Sequence, residues 1–376
     1  MFEISLKPSN RNHNVVIESG LSNKFVSLLS AFHITLNNKK IFVITDETVA
    51  SLYLPQLEQQ LAIHTSIILP PGEATKSFYW LENIYETLLS HHIQRDSLII
   101  ALGGGVVGDI AGLVASTILR GVQLIQIPTT LLSQIDSSIG GKTAINTKYG
   151  KNLIGTFYQP DMVIIDPLYL QTLPHREFTS GLAEMVKYGL IDDLDFFIWL
   201  ENNIDDILSL NINILKQAIY KCCQIKTKIV DQDSYETKNQ RIMLNFGHTF
   251  GHILEAESMY DGRLLHGEAV SIGMCQACDL SQKLGLLEKS DSIRIKTLLS
   301  HLGLPTQIPS FLKNYKSDDE LLHALMQHLK HDKKNNSEGL KFILLKGIGQ
   351  ALTKTDIDKT TIKQILETYI QATDKT

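Results

Sequence analysis

The feature that most restricts the fold is an alternation in the first half of the chain that stops abruptly. Short β-branched or aliphatic runs occur at residues 40–45 (KIFVIT), 65–69 (TSIIL), 97–102 (SLIIAL), 122–127 (VQLIQI) and 162–165 (MVII). Helix-period segments separate several of them, at residues 47–61, 77–91 and 109–119. Continuous apolar strands alternating with helices must be covered on both faces, which predicts a mostly parallel α/β sheet. Near Leu173-Pro174 the strand signals nearly vanish. Helical periodicities follow at residues 178–190, 196–208, 214–230, 241–258, 267–284 and 290–302, then one strand-like run at 340–345 and a last helix at 362–372. The expectation is an α/β domain over residues 1–175 and an all-α domain over residues 176–376, and 376 residues suffice for two cores.

Composition removes several functions. The net charge is −5 and there is no long basic run, so nucleic acid is not expected as a partner. No apolar stretch reaches the ~20 residues that span a bilayer, so no membrane is expected either. The N-terminal MFEISLKPSNRNHNVV lacks an apolar export segment, and four cysteines in a chain this long make no disulfide framework, so a cytoplasmic protein is expected. Cys275-Gln276-Ala277-Cys278 lies inside an apolar helical run and reads as small-residue packing rather than redox or metal chemistry.

In open parallel sheets, ligands sit beyond the carboxyl ends of the strands. Polar signals fall there: Asp46 after the first run, Pro71-Gly72-Glu73 after the second, glycines after the third, Thr129-Thr130 after the fourth. The third run leads into Gly103-Gly104-Gly105-Val106-Val107-Gly108-Asp109, a G-x-G-x-x-G between strand and helix. Such glycines let backbone N–H groups approach a pyrophosphate at a helix N-terminus. The acidic ribose partner expected about 20 residues later is missing, since the chain reads Gln123-Leu124-Ile125-Gln126, and Asp46 is the substitute. The plain alternative is a tight turn without a ligand. Asp136-Ser137-Ser138-Ile139-Gly140-Gly141-Lys142-Thr143 is one residue from a Walker A loop, with residues 162–166 (MVIID) as the second half. A phosphate-loop NTPase is therefore a competitor, weakened because PTTLLSQ separates this loop from the preceding strand. Lys142, Lys151 and Asn152 suggest an anion-binding cluster.

The second half holds the metal signal. Arg241, Asn245, His248, His252 and Glu255 recur at helical steps of four and three, forming a polar stripe where an apolar one is usual. His266 follows a short turn. Imidazoles that converge suggest a zinc-type ion, against the alternative of hydrogen-bonded core histidines. Glu184 and Lys187 share a face of a largely apolar helix, and a metal bound by Glu184, His248 and His266 would occupy that carboxylate. Thr249 stands where an HExxH protease needs glutamate. Gly247 and Gly251 each cost a helix ~1 kcal/mol, which makes sense if something packs close to that face.

Taken together, GGGVVGD, RGVQLIQIPTTLLSQIDSSIGGKTAIN, GKNLIGTFYQP, LPHREFTSGLAEMVKYG, LNFGHTFGH and LLHGEAV resemble the 3-dehydroquinate synthase family of the shikimate pathway, which leads to aromatic amino acids. The resemblance runs from Asp46 to about Lys346. It implies a lyase with an NAD-binding α/β domain, a helical metal domain, NAD⁺ regenerated in each turnover, one zinc (or cobalt) ion and a homodimer. Metal ligands would be Glu184, His248 and His266. NAD⁺ would lie against Asp46, Glu73, Lys76, Gly105, Val106, Val107, Gly108, Asp109, Thr129, Thr130, Lys142, Lys151, Tyr169, Leu170, Gln171 and Thr172. A sugar-phosphate substrate would meet Asp136, Lys142, Asn152, Lys187, Lys226, Arg241, Asn245, His252 and Lys333, with Arg120 reaching in from the neighbouring subunit. Between Lys226 and Arg241 the chain carries one residue more than the family pattern, so Glu236 matches the family's glutamate only with a slip. The alternatives are another sugar-phosphate cyclase or a metal-dependent polyol dehydrogenase of related fold.

Overall fold

The computed structural model describes residues 1–6, 13–236, 240–314, 316–334 and 340–372, with the side chains of residues 6, 22 and 331–334 outside the description. Two compact units emerge. The first comprises residues 1–174 and 210–235, the second residues 175–209 and 236–376. The units are therefore not the continuous halves expected from the sequence, because a long helix after residue 210 packs with the first.

The first unit is built on a seven-stranded sheet in the order β1-β2-β9-β6-β5-β3-β4. Its strands are β1 (Phe2–Leu6), β2 (His13–Ile17), β3 (Ile41–Asp46), β4 (Ile63–Leu69), β5 (Leu98–Gly103), β6 (Gln123–Pro128) and β9 (Met162–Ile165). Only β1 runs antiparallel to its neighbour. The five apolar runs read from the sequence are all strands of this sheet, while β1 and β2 gave no clear periodic signal. Period-two alternation splits β5 between two cores. Leu98, Ile100 and Leu102 join one cluster with Phe25 and Leu54, whereas Ile99 and Ala101 join another with Ile84 and Ile110. Helices α1 (Phe25–Ala31), α2 (Glu47–Glu58), α3 (Phe78–Ser90) and α4 (Gly105–Thr117) supply those covering residues. Strand order reverses between β3 and β5, which sets the ends carrying Asp46 and Gly103 side by side.

The Walker-like stretch folds differently from the NTPase expectation. Ser133–Ser137 is a π-helical turn, and Lys142–Thr147 (β7) pairs antiparallel with Gly150–Phe157 (β8). A phosphate loop needs a helix after its lysine, and here a hairpin follows.

The second unit is helical with one small hairpin, so it is not strictly all-α. It contains α5 (His175–Asp192), α6 (Leu194–Asn202) and α7 (Ile204–Leu208), while α8 (Ile212–Gln232) belongs to the first unit. Then follow α9 (His248–Glu257), α10 (His266–Lys283), α11 (Lys289–His301), α12 (Ser310–Lys313), α13 (Asp318–Lys334), the hairpin β10 (Phe342–Gly347) with β11 (Gln350–Lys354), and α14 (Lys359–Gln371). Helix α13 had no counterpart in the periodicity reading. Cys275 and Cys278 are buried and free, and burial pushes the Cys275 thiol up to about 12, consistent with packing rather than redox chemistry. Among the described residues, no helix is long and apolar enough to cross a membrane.

The helix expected over residues 241–258 is interrupted. Arg241–Asn245 is a 3-10 turn, Gly247 takes φ 80°, and only then does α9 begin. A left-handed residue there is cheap only as glycine. Helices α5, α9 and α10 approach each other closely at small residues. A Cβ on Gly267 would lie 1.8 Å from the Ser180 carbonyl oxygen, and one on Gly273 2.0 Å from that of Gly247 and 2.7 Å from the Gly251 nitrogen. These are backbone atoms that have no room to yield. Gly273→Ala is expected to lower stability by about 1–3 kcal/mol, the usual cost of overpacking, as read from chemical denaturation. An unchanged midpoint would show that the two helices separate freely.

Candidate active site

The closely packed helices of the second unit bring together the three residues the sequence nominated for a metal. One donor atom each from Glu184, His248 and His266 lies within 4.8 Å of the others. His248 Nε2 is 3.5 Å and His266 Nε2 3.6 Å from Glu184 Oε1. Donors around a tetrahedral ion with bonds of about 2.1 Å stand roughly 3.4 Å apart, so the arrangement fits an ion with little movement. Glu184 is fully buried, and its Oε2 takes the ammonium of Lys187, itself buried one turn later. The lysine thus occupies one carboxylate oxygen while the other faces both imidazoles.

The outer ring nitrogens fix each imidazole. His248 Nδ1 lies 3.2 Å from the Phe246 carbonyl oxygen, and His266 Nδ1 lies 3.3 Å from Glu255 Oε2. Each Nδ1 then carries a proton donated outward, which leaves Nε2 as the ligating atom. Burial holds the His248 imidazole down to about 3, with the charge of Lys187 adding to that effect. Burial also works against charge on His266, but its hydrogen bonds to Glu184 and Glu255 prevail and hold it up to about 10. An entering cation therefore displaces a proton from His266. Two imidazoles and one carboxylate leave coordination positions open, as a catalytic centre requires, and this donor set suits zinc or cobalt alike. Sequence reasoning noticed Glu255 only as a member of the stripe, and its role at His266 was invisible until α9 and α10 were packed.

Other nominated residues of this unit lie on α9 and on the 3-10 turn before it. His252 is exposed, its ring 5.4 Å from that of His248 and perpendicular to it. Arg241 is buried with Glu236 Oε1 at 3.5 Å from its Nε, and Asn245 is exposed at the end of the 3-10 turn. The break at Gly247 removes both from the helical stripe of His248 and His252. Lys333 lies in α13, but its side chain is outside the described residues.

In the first unit, Gly105, Val106, Val107, Gly108 and Asp109 open α4 directly after β5. Asp46 ends β3 and caps α2, accepting from the Val49 N–H at 3.0 Å. Thr129 follows β6, its N–H bonded to the Gly103 carbonyl, and Thr130 hydrogen-bonds Ser133. Tyr169, Leu170, Gln171 and Thr172 form a 3-10 turn in which Tyr169 and Leu170 are buried in the core. Lys226 Nζ reaches Asp136 Oδ1 at 2.7 Å, pairing two residues assigned to the substrate. Arg120 is exposed beyond α4, where Leu119 and Arg120 both take left-handed conformations. Lys142 opens β7 opposite Phe157, and Lys151 and Asn152 lie in β8 near the turn of the same hairpin. Asn152 meets Lys76.

A family model described as 3-dehydroquinate synthase N-terminal matches residues 66–180, and one described as 3-dehydroquinate synthase C-terminal matches residues 181–335. The chain belongs to the 3-dehydroquinate synthase family. A 3-dehydroquinate synthase of Shewanella pealeana is 46% identical over 334 residues, covering 88% of this chain and 90% of that protein. Two solved members of related families share the fold. A 2-deoxy-scyllo-inosose synthase, complexed with carbaglucose-6-phosphate, NAD⁺ and Co²⁺, superposes with a TM-score of 0.82 at 27% identity, covering 98% of this chain and 100% of that one. A 2-epi-5-epi-valiolone synthase from Streptomyces hygroscopicus subsp. jinggangensis 5008, with NAD⁺ and Zn²⁺ bound, gives 0.83 at 28% identity, covering 97% and 98%.

For a 3-dehydroquinate synthase family centre built this way, Glu255→Ala is expected to weaken metal binding about 10–100-fold, as measured by chelator competition. Glu255→Gln keeps an acceptor for the His266 N–H and should lose less. Equal affinities for the alanine variant and the unaltered protein would remove Glu255 from the site.

Proposed function

We propose that this chain catalyses the cyclisation of 3-deoxy-D-arabino-heptulosonate 7-phosphate to 3-dehydroquinate with loss of phosphate, a carbon–oxygen lyase reaction with catalytic NAD⁺ and one divalent ion. The observation that carries this reading is the convergence of Glu184, His248 and His266 in a chain of this family. The solved relatives that hold NAD⁺ with Co²⁺ or Zn²⁺ support both cofactors and leave the ion open between the two metals. Bound here, the ion would supply Lewis acidity towards sugar hydroxyls, and NAD⁺ a hydride acceptor renewed within each turnover.

The chain's own residues then have separable tasks. Glu184, His248 and His266 would hold the ion, with Lys187 and Glu255 setting the orientation of the first and last. The N–H groups of Gly105, Val106 and Val107, in the first turn of α4, would receive a pyrophosphate, and the position of that turn directly after β5 supports dinucleotide binding on the first unit. Asp46, Glu73, Lys76, Gly108, Asp109, Thr129, Thr130, Lys142, Lys151 and the turn from Tyr169 to Thr172 complete the proposed cofactor contacts. Lys142, Asn152, Lys187 and Lys333 would bind the substrate phosphate through charge-assisted bonds. Arg241 and Lys226 would bind the carboxylate end.

His252, exposed one turn after His248, and Asp136, kept next to the ammonium of Lys226, are the two groups suited to move the proton of the C5 hydroxyl. A homodimer is part of the proposal, with Arg120 contributed by the second subunit. Its exposed, left-handed presentation beyond α4 supports that role. A cytoplasmic location fits the four buried, free cysteines.

The test is release of inorganic phosphate from the sugar phosphate. After cofactor stripping, release should depend on added NAD⁺, fall to background on chelation, and return with zinc or cobalt. Phosphate release at an unaltered rate without NAD⁺ or without metal would overturn the reading. Net NADH accumulation with a simple polyol would move the chain to the dehydrogenases.

A further inference from the structure

His266 is the first residue of α10, and the residues around it are fastened to α5, the helix that carries Glu184. Three residues of α5 on successive turns do this. Glu184 Oε1 faces His266 Nε2 at 3.6 Å. One turn earlier, Ser180 Oγ accepts the Gly267 N–H at 3.0 Å. One turn earlier again, Arg176 grips Glu268 with two prongs, Nε to Oε1 and a terminal nitrogen to Oε2, each at 2.7 Å. Residues four apart follow one side of a helix. Arg176, Ser180 and Glu184 thus meet Glu268, Gly267 and His266 in register, the two sequences running in opposite directions.

Arg176 does more than pair with a carboxylate. Its terminal nitrogens also reach the Arg263 carbonyl oxygen at 2.6 Å and that of Gly262 at 3.4 Å. Glu268 Oε2 accepts the Leu265 N–H at 2.8 Å, the reach-back by which an N3 glutamate closes the first turn of a helix. Guanidinium and carboxylate together therefore hold the chain just before His266 and just after it. A guanidinium presents five N–H donors in a rigid fork, which the point charge of a lysine cannot copy. The Arg176 side chain is about half exposed. Exposed ion pairs contribute little to folding, so the consequence of this one falls on where α10 begins.

We propose that Arg176 is a positioning residue for the metal centre: by holding Glu268 and the Gly262-Arg263 turn, it fixes the start of α10 and with it the place of the His266 imidazole. The proposal rests on the reading of Glu184, His248 and His266 as a metal site. It adds a group roughly 12 Å along α5 from Glu184, at 1.5 Å of rise per residue. Glu255 orients the His266 ring through Nδ1, whereas Arg176 sets the backbone from which the ring departs. Ligand distances hold to within about 0.2 Å, so a helix start free to shift by more than that loses good bonds.

Chelator competition on the full chain tests this, with zinc as the probe. Arg176→Gln should weaken zinc binding about tenfold, the lower end of the range for groups that act behind a metal ligand. Arg176→Lys keeps the charge without the fork and should lose nearly as much. Glu268→Gln should weaken binding by a similar factor, and the double variant should add little to either single change, since both open one clamp. The visible absorption of the cobalt-loaded protein should shift in the same variants, because it reports ligand geometry. Amide exchange over residues 262–269 should rise about tenfold in Arg176→Gln, while the sheet of the first unit keeps its protection. As a control, Lys296→Met breaks the ion pair with Asp279, 2.6 Å long and towards the other end of α10, and should leave zinc affinity within about twofold.

Unaltered zinc affinity in Arg176→Gln would overturn the proposal, whatever the exchange shows. So would an equal loss in Lys296→Met, because any loosening of α10 would then suffice. His266→Ala separates this proposal from the metal reading. If that variant loses zinc while Arg176→Gln binds it fully, only the role of Arg176 fails. If His266→Ala itself binds zinc fully, the metal reading fails and this proposal with it.

Discussion

Three helix backbones of the second unit approach so closely that only glycine fits at their crossings, and the candidate metal centre depends on this. Helices α5, α9 and α10 each carry one donor, and their side chains converge within 4.8 Å. With any side chain at Gly267 or Gly273 the neighbouring backbone would have to move, since the nearest oxygens lie about where the new carbon would be. Ligand geometry tolerates little displacement, because coordination bonds near 2.1 Å leave small freedom. The glycines are therefore as much a part of the site as the ligands. Their helix-weakening cost is offset by the contact they permit.

Charge is arranged around the same constraint. A fully buried carboxylate needs a partner, and Glu184 has an ammonium one turn along its own helix. That pairing leaves one oxygen directed at two imidazoles, one neutral and one held protonated by carboxylates on either side. The first unit uses a comparable device at Lys76, where one buried cation gathers acceptors from three separate pieces of chain. In both places a buried lysine has its charge met by carboxylates within reach of its ammonium.

Much of this was legible in the sequence, for identifiable reasons. Strands buried on both faces leave continuous apolar runs, so β3, β4, β5, β6 and β9 declared themselves. The glycine turn after β5 and the residues of the metal trio were marked by residue type and spacing. Other elements left no such mark. β8 exposes Leu153 and Phe157, and the stretch that leads into β7 imitates a phosphate loop. Helix α8 has the period of its neighbours in the second half, yet it packs with the first unit, against β1 and the π-helical turn. Periodicity reports which face of an element is buried and says nothing about its partner.

Local chemistry thus determined the element types, the α/β-then-helical order and the candidate residues for a metal or a dinucleotide, because those depend on side-chain type and short-range spacing. Tertiary structure decided which of those residues meet. The left-handed Gly247 divided the stripe of Arg241, Asn245, His248 and His252 into two segments. The hairpin register set Lys142 opposite Phe157, and the packing of α10 on α9 brought Glu255 to His266. Each of these outcomes turns on a backbone dihedral, a strand register or a helix crossing, and such quantities are set by contacts between segments far apart in the chain.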